Sequence, residues 1–258
     1  MTQVSGKRIP SVADHDIITQ RYFFPRRAAP PHPVMVEAGE ATLACYLEDA
    51  GCDGTVVHFH GNGEVVADYA GGLSGDLADM GVDAFFAEYR GYGGSTGTPR
   101  LGAMLEDVVP IREAVDAPDE KLVVFGRSIG SIYAIEFAAR YPGVAGLVLE
   151  SGIADVLERI LLRASPEELG TTREELEAEF GALFDHEAKL GDYPGPALVL
   201  HTENDHLVDK THGERLADWA GADAKLVMFE RGDHNSIFHV NREAYLAEVA
   251  GFLEGVGR

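Results

Sequence analysis

Apolar positions along this chain follow two alternating rhythms. Short β-branched or aromatic runs occur at Val34–Val36, Thr42–Leu47, Thr55–His60, Ala84–Tyr89, Leu122–Phe125, Gly146–Glu150, Ala197–His201 and Lys225–Phe229. Between them, apolar residues recur at helical spacing over Glu64–Met80, Leu101–Ala114, Ser128–Ala139 and Val240–Leu253. From Thr55 onward, strand and helix patterns take turns. That order predicts an α/β architecture: an eight-stranded, mostly parallel sheet with helices on both faces. Only Glu37–Ala41 joins the first two runs, too little chain for a crossover, so they are expected to pair as an antiparallel edge hairpin.

The interval between Glu150 and Ala197 is too long for a plain connection. It carries two amphipathic patterns, Asp155–Arg163 and Thr172–Phe184, the second opening on a Thr172…Glu175 capping box. Helices inserted after a strand's carboxyl end overhang the crevice where α/β proteins bind ligands. Residues 153–192 are therefore expected to form a small helical lid within a single domain spanning 1–258. No internal repeat or low-complexity tract interrupts the pattern.

Composition narrows the possible partners. The chain has 43 acidic against 21 basic residues, a formal net charge of −22. With no basic stripe, nucleic acid and anionic membrane surfaces are excluded as expected partners, and polyanionic substrates are disfavoured. A charged, solvated surface explains this balance, as does adaptation to salty surroundings where counter-ions relieve self-repulsion. The first thirty residues lack an apolar core of signal-peptide length, and no run approaches a membrane span. Cys45 in a strand and Cys52 in the following turn read as free thiols of a reducing cytoplasm, which sets the expected location.

The chemistry concentrates where the Leu122–Phe125 run stops at Gly126-Arg127-Ser128-Ile129-Gly130 and a helical pattern starts at once. A strand–turn–helix corner forces the central serine into strained backbone geometry and lifts its hydroxyl above the sheet edge. Composition alone predicts roughly 0.1 such Gly-x-Ser-x-Gly patterns in a chain like this. A second one nevertheless occurs, Gly93-Gly94-Ser95-Thr96-Gly97, in a glycine-rich loop running into Pro99 with no helix behind it. Ser128 therefore reads as a nucleophile and Ser95 as part of a loop.

A serine needs a base, and the base an orienting carboxylate. His234 follows the last strand and a Gly232 turn. Asp205 follows the seventh strand, with Glu203 and Asp209 as rivals in the same loop. The backbone N–H of Ile129 and the turn His60-Gly61-Asn62-Gly63 are expected to supply donors to a developing oxyanion. A dinucleotide fingerprint at that turn fails, because Val66 stands where a small residue is required. His58 and His60 have no third ligand at metal-site spacing, so neither metal nor cofactor is expected.

The order Ser128…Asp205…His234 with an upstream His-Gly-Asn-Gly-Glu turn and Arg90-Gly-Tyr-Gly-Gly-Ser95 resembles the α/β-hydrolase superfamily, over essentially the whole chain. The likeness is greatest to its small-lid serine hydrolases. The resemblance implies strand order 1-2-4-3-5-6-7-8, Ser128 as nucleophile, Asp205 as acid, His234 as base, and Asn62 and Ile129 as oxyanion donors. It implies a serine esterase that cleaves small-molecule carboxylic esters through an acyl-enzyme, and a lid of only two short helices predicts short to medium acyl groups. Peptidase or amidase, thioesterase and acyltransferase activities are alternatives within the fold, and a non-catalytic binding protein is an alternative outside enzymes. Gly61, Glu64, Tyr92, Ile153, Leu157, Leu161, Leu207 and Phe238 are expected around the substrate. Glu64 reads equally as an acid matching a helix dipole. Arg127 is expected to be partly buried in an ion pair with Glu150 or Glu88 rather than to clamp a substrate carboxylate.

Overall fold

The computed structural model describes residues 11–257. Met1–Pro10 and Arg258 lie outside the described residues, so the reading of the first thirty residues, and of the chain as one domain, reaches beyond what is described here. Eight strands form one sheet: β1 (Val34–Ala38), β2 (Ala41–Glu48), β3 (Gly54–Phe59), β4 (Val82–Ala87), β5 (Leu122–Arg127), β6 (Gly146–Glu150), β7 (Ala197–Thr202) and β8 (Ala224–Phe229). Their order is β1-β2-β4-β3-β5-β6-β7-β8. β2 runs antiparallel to β1 and β4, and the remaining pairs are parallel. The central strands are near-continuous apolar runs because helices cover both of their faces. β6 and β7 are buried at every position. At the edge, β8 instead exposes Lys225, a charge that discourages pairing with another chain.

The helices are α1 (Asp16–Tyr22), α2 (Leu73–Asp79), α3 (Ala103–Glu106), α4 (Val108–Ala114), α5 (Gly130–Arg140), α6 (Val156–Leu161), α7 (Arg173–Leu183), α8 (His186–Gly191), α9 (Lys210–Trp219) and α10 (Ile237–Val256). Two apolar cores divide them. Leu77 of α2 and Tyr245, Val249 and Leu253 of α10 pack on one sheet face against Val56, Phe86, Phe125 and Leu198. α1 and α3–α9 pack with Val57, Phe59, Val124 and Val199 in the other core.

The helical pattern over Glu64–Met80 is not one helix. A single 3-10 turn spans Val66–Asp68, and α2 starts only at Leu73, because Gly71 takes φ +74° and turns the chain. The N-terminal helix dipole expected at Glu64 is therefore absent. The pattern over Leu101–Ala114 likewise splits at Asp107, where Pro110 removes a donor from the first turn of α4. Three helices, not two, lie between β6 and β7, and α1 corresponds to no predicted element. Among the described residues, no helix is long and apolar enough to cross a membrane.

Candidate active site

β5 ends at Arg127, and α5 starts at Gly130, leaving two residues to reverse the chain. Ser128 takes φ +52°, a left-handed conformation that only a constrained serine adopts. The flanking glycines make the corner possible. A Cβ at Gly126 would lie 2.6 Å from Ala134 Cβ, and one at Gly130 would lie 2.1 Å from the Phe59 carbonyl oxygen. Ser128 N–H donates to Glu150 O at 2.8 Å, which anchors the corner to β6.

Residues from two further loops meet this hydroxyl. His234, in the turn between β8 and α10, has Nε2 2.9 Å from Ser128 Oγ and Nδ1 2.7 Å from Asp205 Oδ2. All three side chains are buried. With Asp205 accepting at Nδ1, the proton sits there, and Nε2 faces the serine as the acceptor. Leu207 N–H and Val208 N–H donate to Asp205 Oδ1 at 2.9 and 2.8 Å. His201 Nε2 donates to Val208 O and lies 3.4 Å from Asp205 Oδ2. Burial pushes the Asp205 carboxyl up, but the hydrogen bond and charge of His234 and the Val208 N–H outweigh it and hold the group below its ordinary value. The rivals are placed otherwise: Glu203 is exposed, and Asp209 caps α9 by accepting from Thr211.

Ile129 is the N-cap residue of α5, with its N–H beside the serine. Asn62 lies in the turn after β3, but its side chain is occupied. Oδ1 accepts from Phe24 N–H at 3.0 Å and from Tyr92 OH at 2.8 Å, and Nδ2 donates to the Tyr22 carbonyl. Tyr22, Phe24 and Tyr92 thus fix the orientation of the Asn62 side chain.

The other expected substrate contacts distribute unevenly. Gly61 N–H donates to Glu64 Oε2 at 2.7 Å, and a Cβ there would lie 2.3 Å from Arg127 Nη1, so its smallness admits Arg127 rather than a substrate. Glu64 pairs with Arg127 Nη1 at 2.5 Å and accepts from Tyr69 OH. Arg127 also pairs with Glu150 through Nε at 3.0 Å and donates to His234 O at 2.9 Å. Burial lowers the basicity of its guanidinium, but the charges of Glu150 and Glu64 outweigh this and raise it. Glu88 is not its partner; that buried carboxylate holds His60 Nε2 at 2.7 Å. Glu64, half-buried, thus belongs to the ion-pair network of Arg127 and Glu150.

Tyr92 is fully buried and reaches the site only through Asn62. Ile153 is buried, its N–H donating to Ser131 Oγ, which in turn donates to Ser128 O. Leu157 lines a groove between the inserted helices and α9, along with Phe180, His186 and Trp219. Leu161 is half-buried against the main core, and Leu207 is exposed. Phe238 lines a cavity of about 330 Å³ with His58, Tyr69 and Tyr245, and Glu64, Arg127 and Glu150 form part of its wall.

Cys45 is a buried free thiol whose ionisation burial pushes up to about 12, and Cys52 is also free. Sequence reasoning missed Phe24, half-exposed beside the turn after β3, and the Tyr22 carbonyl. No motif marks either, since both act through the backbone.

The fold is the α/β-hydrolase fold. An esterase from Pyrococcus furiosus superposes with a TM-score of 0.70 at 18% identity, covering 89% of this chain and 98% of that one. A family model described as serine aminopeptidase, S33, matches residues 51–176. The uncharacterized protein YfhR of Escherichia coli K12 is 27% identical over 212 residues, which span 77% of this chain and 69% of YfhR. The α/β-hydrolase domain-containing protein aho-3 of Caenorhabditis elegans is 26% identical, over 78% of this chain and 57% of its own length.

Proposed function

We propose that the protein is a cofactor-independent serine hydrolase that cleaves carboxylic esters through an acyl-enzyme. The observation that carries this reading is the relay from Ser128 Oγ to His234 Nε2 at 2.9 Å and from His234 Nδ1 to Asp205 Oδ2 at 2.7 Å. Ser128 Oγ attacks the ester carbonyl carbon while its proton passes to His234 Nε2. The Asp205 carboxylate stabilises the imidazolium that results. The carbonyl oxygen gains charge, and the N–H groups of Ile129 and Asn62 face it. Collapse of the tetrahedral species breaks the bond to the alcohol, which leaves with the proton from His234. Water then adds to the acyl-serine by the same route, giving up its proton to His234, and the acid departs as Ser128 is reprotonated.

The net charge of −22 disfavours anionic acyl groups and coenzyme A thioesters. The short helices of the insert favour short to medium acyl chains over long ones.

The description of the matching family model favours a second reading, an aminopeptidase. Recognition of a substrate ammonium needs an unengaged carboxylate near the serine. Glu64 and Glu150 are both held by Arg127, which supports the ester reading instead.

Labelling with a fluorophosphonate and turnover of p-nitrophenyl esters from acetate to palmitate test the proposal, with aminoacyl p-nitroanilides as the competing panel. The ester reading expects labelling that is lost in Ser128→Ala, and better turnover of butyrate than palmitate. Faster turnover of the anilides would favour the peptidase. Absence of labelling in the folded parent protein would indicate a binding protein.

A further inference from the structure

The chain between α1 and β1 runs directly past the oxyanion turn and grips it at three points. The Tyr22 carbonyl accepts from Asn62 Nδ2, and Phe24 N–H donates to Asn62 Oδ1 at 3.0 Å. Arg26 reaches the Gly63 carbonyl at 3.3 Å and pairs with Asp68 at 2.5 Å. Tyr92 OH closes the grip from below, 2.8 Å from Asn62 Oδ1 and 2.9 Å from the Phe24 nitrogen. Phe23 anchors this stretch in the core, and the Phe24 ring stays half-exposed.

The same stretch is tied to the inserted helices. Tyr22 OH donates to the carbonyls of Arg159 and Ile160 at 2.5 and 2.6 Å. Arg163 donates to Arg21 O at 3.0 Å, and its guanidinium lies 5.4 Å from the Tyr22 ring centroid. Arg21 completes the join through Glu168 at 2.7 Å.

We propose that Tyr22–Arg26 is a strap that aims the Asn62 backbone N–H and couples it to the helical insert, with the Asn62 side chain as a positioning handle rather than an oxyanion donor. This rests on the serine-hydrolase reading. The peptide that carries the Asn62 N–H is held at its carbonyl end, where Gly61 O accepts from His60 Nδ1 at 2.8 Å and from Glu64 N–H at 3.3 Å. The strap holds the Asn62 end, and a donor displaced by about 1 Å loses up to ~10²-fold in rate. A displacement of the insert by substrate is transmitted through Tyr22 to the peptide that meets the carbonyl oxygen.

Tyr92→Phe removes one hydroxyl and keeps the ring. The strap predicts that kcat falls about tenfold while KM stays within about twofold, because an oxyanion contact is realised only in the transition state. The inhibition constant of butylboronic acid, which forms a tetrahedral adduct on a serine, should weaken in proportion to kcat. Tyr22→Phe cuts the tie to the insert but keeps the carbonyl that holds Asn62. Its effect should be non-additive with Tyr92→Phe in a double-mutant cycle. Asn62→Ala should lose more than either, and circular dichroism separates that loss from unfolding. Unchanged kcat in Tyr92→Phe, a change in KM alone, or strictly additive effects would overturn the strap. Turnover retained by Ser128→Ala would instead overturn the serine-hydrolase reading beneath it.

Discussion

The pentapeptide Gly-x-Ser-x-Gly occurs twice in this molecule, and the two copies have almost nothing in common beyond their letters. At Gly126–Gly130 the glycines allow a strand to collide with a helix, Ser128 takes φ +52°, and its hydroxyl meets His234. At Gly93–Gly97 the serine is fully buried and its hydroxyl faces the sheet edge. β4 covers only Tyr46–Glu48 of β2, so the earlier part of β2 lacks a partner on that side. The second copy supplies it: Ala44 N–H donates to Ser95 Oγ at 2.9 Å, Thr42 N–H to Thr96 Oγ1 at 2.8 Å, and Thr96 N–H to Thr42 O at 2.9 Å. Its glycines serve close approach, since a Cβ at Gly93 would lie 2.1 Å from Glu88 Oε2. A hydroxyl becomes a nucleophile through a base and a backbone that aims it, and here one copy has both while the other completes a sheet.

The largest expected effect follows from this contrast. Ser128→Ala should abolish fluorophosphonate labelling and lower ester turnover by about 10⁶, the loss seen when a triad nucleophile is deleted. Labelling that persists in Ser128→Ala and disappears in Ser95→Ala would invert the comparison.

Asp205→Asn should lower kcat by roughly 10⁴ with the fold intact, because the imidazole loses its oriented tautomer. Asp209→Asn, at the α9 cap, should leave kcat within a few-fold and barely change stability, because an Asn oxygen caps the helix as well as an Asp oxygen does. His234→Gln keeps a polar side chain that cannot take the serine proton, and it should lower kcat at least as far as Asp205→Asn. Near-parental kcat in His234→Gln would remove His234 from the mechanism.

Arg127 tests what supports the first copy from behind. Arg127→Met would leave the buried Glu150 and the half-buried Glu64 without their cation, at a cost of about 3 kcal/mol in urea unfolding. Adding Glu64→Gln and Glu150→Gln should recover much of that loss. If the triple variant is no more stable than Arg127→Met, the ion pairs are not what holds the elbow.

Much of this contrast was legible in the sequence. A helical pattern begins at Ser128 itself, whereas Gly97 runs into Pro99 with no helix directly behind it, which separates the two motifs in the sequence alone. The strands were equally legible, because parallel strands buried on both faces must be continuous apolar runs. What stayed hidden depends on pairings distant in sequence. Glu64 reads as a helix-dipole acid until Gly71 is seen to break the helix and Arg127 to claim the carboxylate. Nor does the sequence show that Tyr22 and Phe24 hold the Asn62 side chain, because both act through backbone atoms and leave no residue-type signal.

The two regions should also respond to pH with opposite sign. Behind the elbow, His186 Nδ1 bonds Ile153 O, and burial holds its ionisation down at about 4. A histidine depressed in the fold contributes stability above its unfolded value of ~6.5, and that stability is lost as pH falls toward the folded value. For His186 the loss approaches ~3 kcal/mol by pH 4. Beside the second copy, burial of His60 favours its neutral form, but the Glu88 hydrogen bond and charge outweigh that and raise its ionisation. Its contribution is complete below ~6.5 and is lost as pH rises through the folded value. His186→Gln should therefore flatten the acid limb of melting temperature against pH, and His60→Gln the limb above ~6.5. An unchanged acid limb in His186→Gln would show that the other depressed histidines, His58, His201 and His212, carry it.

The smallest effect on catalysis is expected at Ser95, and its character matters more than its size. Ser95→Ala removes the acceptor for Ala44 N–H in a fully buried stretch of β2. An unpaired buried donor is worth about 1–3 kcal/mol, so the variant should unfold at lower urea, with the slope of the transition unchanged. Its kcat should stay within tenfold of the parent and labelling should be complete, because no bond from Ser95 reaches the triad. Ser95→Thr, which restores a hydroxyl but adds a methyl against tightly packed neighbours, should not recover full stability. A Ser95→Ala protein of parental stability would mean that Ala44 N–H finds another partner. One that is stable but inactive would mean that the second copy, too, takes part in the chemistry.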